Sequence, residues 1–211
     1  MPPASTGQVE GKGTLFNLLL SRAGRSNLLI FHFMYLAGLM HIHIQQTTDV
    51  DWLDLKTIRL FSLAESPDAF GLTHEVAFAY TDAQWQDRAG NRTPPMYFVA
   101  RDEGNPVGLI GGVKANTGFN LIAMWVAPSH RGLGIGSVLV EKVLAAAVPR
   151  GESEVCLFVS PLNKAACALY ERMGFCFTPH FEALESDPKI MLQRMLARFD
   201  TCLPADFILT S

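Results

Sequence analysis

Cysteine is scarce and unpatterned: Cys156, Cys167, Cys176 and Cys202 form no Cys-x-x-Cys pair, and the six histidines show none of the short spacings used by metal ligands. A disulfide framework and a structural metal site are therefore not expected. Cys156, Cys167 and Cys176 stand in apolar runs, where a free thiol behaves as a small core hydrophobe, and this points to a reducing, cytoplasmic compartment. Basic excess is also missing. Lys+Arg number 17 against Asp+Glu 20, for a net charge of −3, so nothing advertises binding to a nucleic-acid backbone. Charge is low at 18% while apolar residues reach 49%, which excludes global disorder. Internal repeats and low-complexity tracts are absent. A long hydrophobic run is absent too: the stretch Leu28 to Met40, which follows Arg22 and Arg25 and contains His32 and Gly38, is 13 residues long. A bilayer-spanning helix needs about 20, so this segment is too short to cross a membrane alone. No small-x-small cleavage site follows it.

What is present fits one domain, since 211 residues at roughly 150 per domain do not make two. Residues 1–39 differ from the rest and admit three readings: an upstream extension from a start codon placed too early, a weak anchor, or a packed amphipathic helix. The first is favoured because Met40 immediately precedes the first regular pattern. Residues 41–48 alternate like a strand, and Asp49 or Asp51 can cap a helix running to Glu65, which Pro67 ends. Helical periodicity continues over Phe70 to Tyr80 and Asp82 to Ala89. Strands are predicted at Met96–Arg101, Val107–Lys114 and Leu121–Val126, separated by the turns Glu103-Gly104-Asn105-Pro106 and Asn116-Thr117-Gly118. A helix from Gly134 to Val148, a strand at Glu154–Val159, a helix at Asn163–Met173 and a last strand near Ile190–Arg194 complete the order. Consecutive hairpins followed by strand-helix units predict an α/β chain of the α+β type: a mixed, mostly antiparallel central sheet with helices on both faces.

The segment richest in chemistry is Met124-Trp125-Val126-Ala127-Pro128-Ser129-His130-Arg131-Gly132-Leu133-Gly134-Ile135-Gly136-Ser137. An apolar strand runs into a turn with glycines at alternate positions, and a helix begins at its end. Glycine permits positive φ and close approach of a ligand, and the unpaired N–H groups of a first helical turn present positive potential. The arrangement is an anion cradle, with Arg131 as a charge-assisted donor at its mouth, suited to a pyrophosphate. A ligand-free glycine-rich turn is the plain alternative. Walker A is excluded because no lysine follows Gly136, and the dinucleotide fingerprint fails because the glycines fall at 132, 134 and 136.

The segment resembles the acetyl-CoA loop of the GNAT superfamily, the GCN5-related N-acetyltransferases, whose pattern Arg/Gln-x-x-Gly-x-Gly/Ala is matched by Arg131, Gly134 and Gly136. Leu157-Phe158-Val159-Ser160-Pro161-Leu162-Asn163-Lys164-Ala165-Ala166 and Leu169-Tyr170-Glu171-Arg172-Met173-Gly174-Phe175 are similar to its second signature. The likeness is strongest over residues 119–175 and colinear over 41–200, leaving an acetyltransferase domain at 40–200 and a tail at 201–211.

The resemblance implies a splayed pair of strands between which a pantetheine arm inserts. Backbone groups of Met124 and Val126, flanking Trp125, would bond its amides, and the N–H groups of Gly132, Leu133, Gly134, Ile135, Gly136 and Ser137 would hold the pyrophosphate beside Arg131. Asn163 is similar to the family asparagine that touches the cofactor, and it can equally serve as an ordinary helix N-cap. Tyr170 is the expected proton donor to the departing CoA thiolate, against the alternative of a core aromatic with its hydroxyl at the rim. Asn120 stands where many relatives carry the glutamate base, so deprotonation would fall to ordered water or to His74 or Glu75. Those two read more simply as helix-surface residues, as does Glu141.

These expectations amount to acetyl-CoA-dependent transfer to a primary amine by direct attack in a ternary complex. Pro67-Asp68-Ala69-Phe70-Gly71 with Trp85 nearby resembles the acceptor-side segment of relatives that take diverse amines, a variable part that fold and cofactor do not determine; a small-molecule amine comes first and a protein N-terminus or lysine second. A homodimer is one assembly the resemblance allows. The rival expectation is a CoA-binding regulatory module without turnover.

Overall fold

The computed structural model describes residues 41–115 and 118–199. The expected extension at 1–39, the tail at 201–211 and the tip Asn116-Thr117 of one predicted turn lie outside the described residues.

Strand β1 (Ile42–Gln46) leads through a single 3-10 turn into helix α1 (Trp52–Glu65). A capping box starts that turn: Thr48 N–H and Oγ1 both donate to Asp51 Oδ2, at 2.7 and 2.8 Å. Pro67 cannot donate to a continuing helix, and α1 stops two residues before it. Two short helices, α2 (His74–Phe78) and α3 (Asp82–Ala89), follow, the second opened by a Thr81/Gln84 capping box. Strands β2 (Met96–Asp102), β3 (Asn105–Ala115) and β4 (Gly118–Val126) form the antiparallel meander, then come helix α4 (Ile135–Ala147), strand β5 (Glu154–Val159) and helix α5 (Lys164–Arg172). Strands β6 (Cys176–Ala183) and β7 (Met191–Arg198) close the described chain.

The seven strands lie in the order β1-β2-β3-β4-β5-β7-β6. Every neighbouring pair is antiparallel except β4 with β5. Strand β2 shows why both faces are covered: Met96, Phe98 and Ala100 pack with α4 and α5, while Tyr97 and Val99 pack with α1 and α3. A strand buried on alternate sides by two helix layers reads as a continuous apolar run, which is how this one reads. Among the described residues no helix is long and apolar enough to cross a membrane.

The hairpin partner β6 is absent from the sequence-based expectation, and β7 extends to Arg198, beyond the expected Arg194. Pro179 sits in the middle of β6 and cannot donate to a ladder. It is tolerated because β6 is the edge strand, and its register against β7 shifts between Phe177 and Phe181. Exposure along β6 leaves Cys176 at the surface, in contrast to the buried Cys156 and Cys167.

Candidate active site

Among the described strands one pairing is parallel, and it shapes the candidate site. Strands β4 and β5 are in register only at Phe119↔Val155 and Asn120↔Cys156, after which no ladder joins them. Asn120 marks the apex of the opening: it is buried, its Nδ2 donates to Gly118 O at 2.9 Å, and Cys156 Sγ donates to its Oδ1 at 2.9 Å. Just beyond, the β3–β4 register shifts between Leu109 and Gly111, and Ala123 takes φ +54°. A non-glycine residue in that region is sparsely populated and costs of order 1–3 kcal/mol, so the surrounding sheet must hold the bulge in place.

Between the parted strands lies a cavity of about 590 Å³. Met124, Phe158, Asn163 and Tyr170 line one part of it, and Glu65 through Phe70 line another. Ala127 N–H bonds Val107 O at 2.8 Å, on the β3 side. Strand alternation therefore turns the backbone groups of Met124 and Val126 toward the open flank, and those of Trp125 toward β3. The indole of Trp125 is buried on the α1 face, edge-on to Phe61.

Residues 131–137 do not line this cavity; they follow the end of β4. Gly132 and Gly134 adopt φ of +80° and +82°, and Gly134 is the N-cap of α4. The helical ladder starts with Ser137 N–H to Gly134 O at 3.0 Å, which leaves the earlier N–H groups of Ile135 and Gly136 outside it. Gly136 has a second reason to be glycine. A Cβ there would come within 2.9 Å of Met124 Cε and 3.2 Å of Leu169 Cδ2, so its hydrogen lets the first turn of α4 sit on both.

Arg131 differs from expectation. Its Nε donates to Val126 O at 2.9 Å and its Nη2 to both carboxylate oxygens of Glu65, at 3.1 and 3.0 Å. The side chain is thus bound to the end of α1 and to the strand it follows, where the sequence suggested a free donor for an anion. Glu65 is the residue that sequence reasoning missed. Besides Arg131 it receives Ser66 Oγ–H and, at 2.9 Å, Trp125 Nε1–H. The bonds from Ser66 and Trp125, with the Arg131 guanidinium, hold its carboxyl below the usual carboxylate range.

Asn163 caps α5, its Oδ1 accepting Ala166 N–H at 3.1 Å, and also lines the cavity, so both of its expected uses are geometrically compatible. Tyr170 is buried, with its ring edge-on to Phe175 at 5.8 Å. Its hydroxyl makes no hydrogen bond among the described residues, and burial, then the neighbouring Cys167, pushes its pKa up. The phenol therefore stays protonated across the whole neutral range. His74 and Glu75 on α2 do not line the cavity, whereas Glu65 and Asp68 do. Trp85, expected on the acceptor side, is a core residue under α1, although Pro67, Asp68, Ala69 and Phe70 do form a cavity wall. Among the described residues no group of three or more His, Cys, Asp or Glu could hold a metal ion.

A mixed sheet opened at its parallel pair, with a glycine-braced helix start beyond the opened strand, makes this an α/β domain with a cleft between two parted strands. The model of the Acetyltransferase (GNAT) family matches residues 58–175, more than half of the chain, and the chain belongs to that family. Mouse N-acetyltransferase family 8 member 3 is 32% identical over 111 residues, 47% of this chain and 49% of that protein. The chain spans no more than about half the length of the curated relatives it matches. Two solved structures share the fold. The GNAT-family acetyltransferase of Streptococcus pneumoniae superposes with a TM-score of 0.63 at 18% identity, covering 75% of this chain and 99% of that one. The PaiA N-acetyltransferase of Thermoplasma acidophilum, solved in complex with coenzyme A, gives 0.54 at 16% identity, covering 76% and 100%.

Proposed function

We propose that this chain transfers an acetyl group from acetyl-CoA to a primary amine by direct attack in a ternary complex, and that the acceptor is a small molecule. The observation that carries this reading is the parting of β4 from β5 beyond Asn120↔Cys156, with Met124 lining the cavity between them. When bound, acetyl-CoA supplies an activated thioester. Met124 and Val126 would hold its pantetheine amides as an added strand would, the N–H groups of residues 132–137 would face its pyrophosphate, and Asn163 would flank the arm. Tyr170 would give its proton to the sulfur as the C–S bond breaks. A cavity of about 590 Å³ that must also hold the end of the donor leaves room for a small acceptor, which favours a metabolite over a protein terminus. Three free cysteines support a reducing, cytoplasmic setting.

Purified protein incubated with acetyl-CoA and a panel of amines should release free thiol in step with acetylated amine. Thiol release no faster than with acetyl-CoA alone, for every amine, would leave the second reading, a CoA-binding module without turnover. Asn120, which cannot accept a proton at the apex of the site, is what favours that alternative.

The pH dependence follows from the same groups. Glu65, held ionised by its donors, is a poor base, so the acceptor should enter as free amine or lose its proton to water. kcat/KM is expected to rise with pH toward the amine's own pKa. Tyr170 must be protonated to act, and its pKa is raised, so it should impose no falling limb below about pH 10. A bell with its alkaline limb near neutrality would contradict the assignment.

The domain is proposed to begin at Met40. A chain shortened to start there should match the full chain in melting temperature and coenzyme A affinity, as measured by calorimetry. Aggregation on shortening would place residues 1–39 among the packed elements.

A further inference from the structure

We propose that Glu65 is the positioning residue of the phosphate loop, acting through Arg131 without itself touching the ligand. The inference rests on the acetyl-CoA reading above and assigns to Arg131 a role opposite to that of a direct anion donor.

Four hydrogen bonds make the case. Glu65 ends α1 on the acceptor-side wall and gathers Trp125 from β4 and Arg131 from the loop onto one carboxylate. Arg131 Nε closes the circuit on Val126 O. A guanidinium is planar and rigid, so bonds at Nε and Nη2 to two different partners fix its orientation and with it the backbone at position 131. The following residues need that help: Gly132 and Gly134 both sit at positive φ, and Gly132 has nothing within 4 Å of the place where a Cβ would be. Glycines in open space lose much conformational freedom when they are held. A loop tied at its first residue presents its N–H groups already aligned, and that saving appears as affinity.

The competing role makes the opposite forecast. If Arg131 bound the pyrophosphate directly, Glu65 would compete with the ligand for it, and removing the Glu65 charge would leave affinity unchanged or raise it. In the positioning role, removing the charge loosens the loop and lowers affinity.

The test is calorimetric titration of coenzyme A into the full chain, Glu65→Gln, Arg131→Gln and the double variant, with melting temperatures recorded for all four. Partly exposed pairs of this kind are worth up to about 5-fold in an equilibrium constant, and each single variant should weaken binding by about 3- to 5-fold. The double variant should be no weaker than the worse single by more than about 2-fold, because both remove the same strap. Wild-type or tighter binding by Glu65→Gln, or losses that multiply in the double variant, would overturn the proposal. So would a fall in melting temperature with affinity intact, the mark of a merely structural pair. Arg131 is half-exposed, so its variant is expected to fold even if Glu65→Gln does not; wild-type affinity in Arg131→Gln would by itself overturn the proposal. Failure of the unaltered chain to bind coenzyme A would be distinct, since it removes the acetyl-CoA reading itself.

Discussion

Gly134→Val should abolish coenzyme A binding, with affinity falling by at least about 100-fold, while the fold survives. At φ +82° the N-cap of α4 lies where a β-branched side chain is a steric outlier. The penalty for such a conformation is of order 1–3 kcal/mol, and the loop can escape it only by rotating the peptide units on either side of residue 134. Those units carry the N–H groups that would meet the pyrophosphate, so strain relief and loss of the cradle are one event. Gly104 supplies the control. It sits at φ +86° in the β2–β3 turn, with nothing within 4 Å of the place a Cβ would take and no part in the cavity lining. Gly104→Val should therefore lower the melting temperature to a similar degree while leaving calorimetric affinity at the wild-type value. Equal affinity in both variants would detach the loop from anion binding. Gly136→Ala should be milder, since the contacts it creates are with the ends of the flexible side chains Met124 and Leu169.

The loop is legible in the sequence because its signal is local: three alternate glycines between an apolar strand and a helix. The meander β2–β3–β4 is legible for the same reason, through its turn residues, and helices α1 and α4 through their apolar spacing. What escapes a reading of the sequence is non-local. Ala123 carries no mark of the positive φ it adopts, because the bulge arises from the register of β3 against β4 and from no preference of alanine. Edge strand β6 is hidden by Pro179, which reads as a breaker unless the strand's outer side is known to be unpaired. Glu65 looks like the last residue of a helix, and its partners Trp125 and Arg131 lie 60 and 66 positions away. Arg131 consequently looks free for a ligand, since nothing near it in sequence could neutralise it.

Tyr170→Phe should lower kcat by about 10²-fold, within the typical 10²–10⁴-fold worth of general acid catalysis, because a thiolate is already a tolerable leaving group. The substitution keeps the ring that packs edge-on against Phe175 and removes only the hydroxyl, which has no hydrogen-bond partner among the described residues. Tyr170 lines the cavity, and deleting a hydroxyl that bonds no described residue leaves no orphaned group behind, so stability should change little. Coenzyme A affinity should likewise stay near wild type, since the proton is needed only as the C–S bond breaks. A purely structural tyrosine makes the reverse forecast, with turnover near wild type and any change confined to melting temperature. The raised pKa sharpens the comparison: wild type should hold its rate to about pH 10, and the phenylalanine variant should run parallel beneath it with no change in shape. Unchanged kcat in Tyr170→Phe, with the chemical step shown to limit the rate, would leave water as the proton donor. The cavity would then act by positioning alone, through lining residues such as Met124 and Asn163.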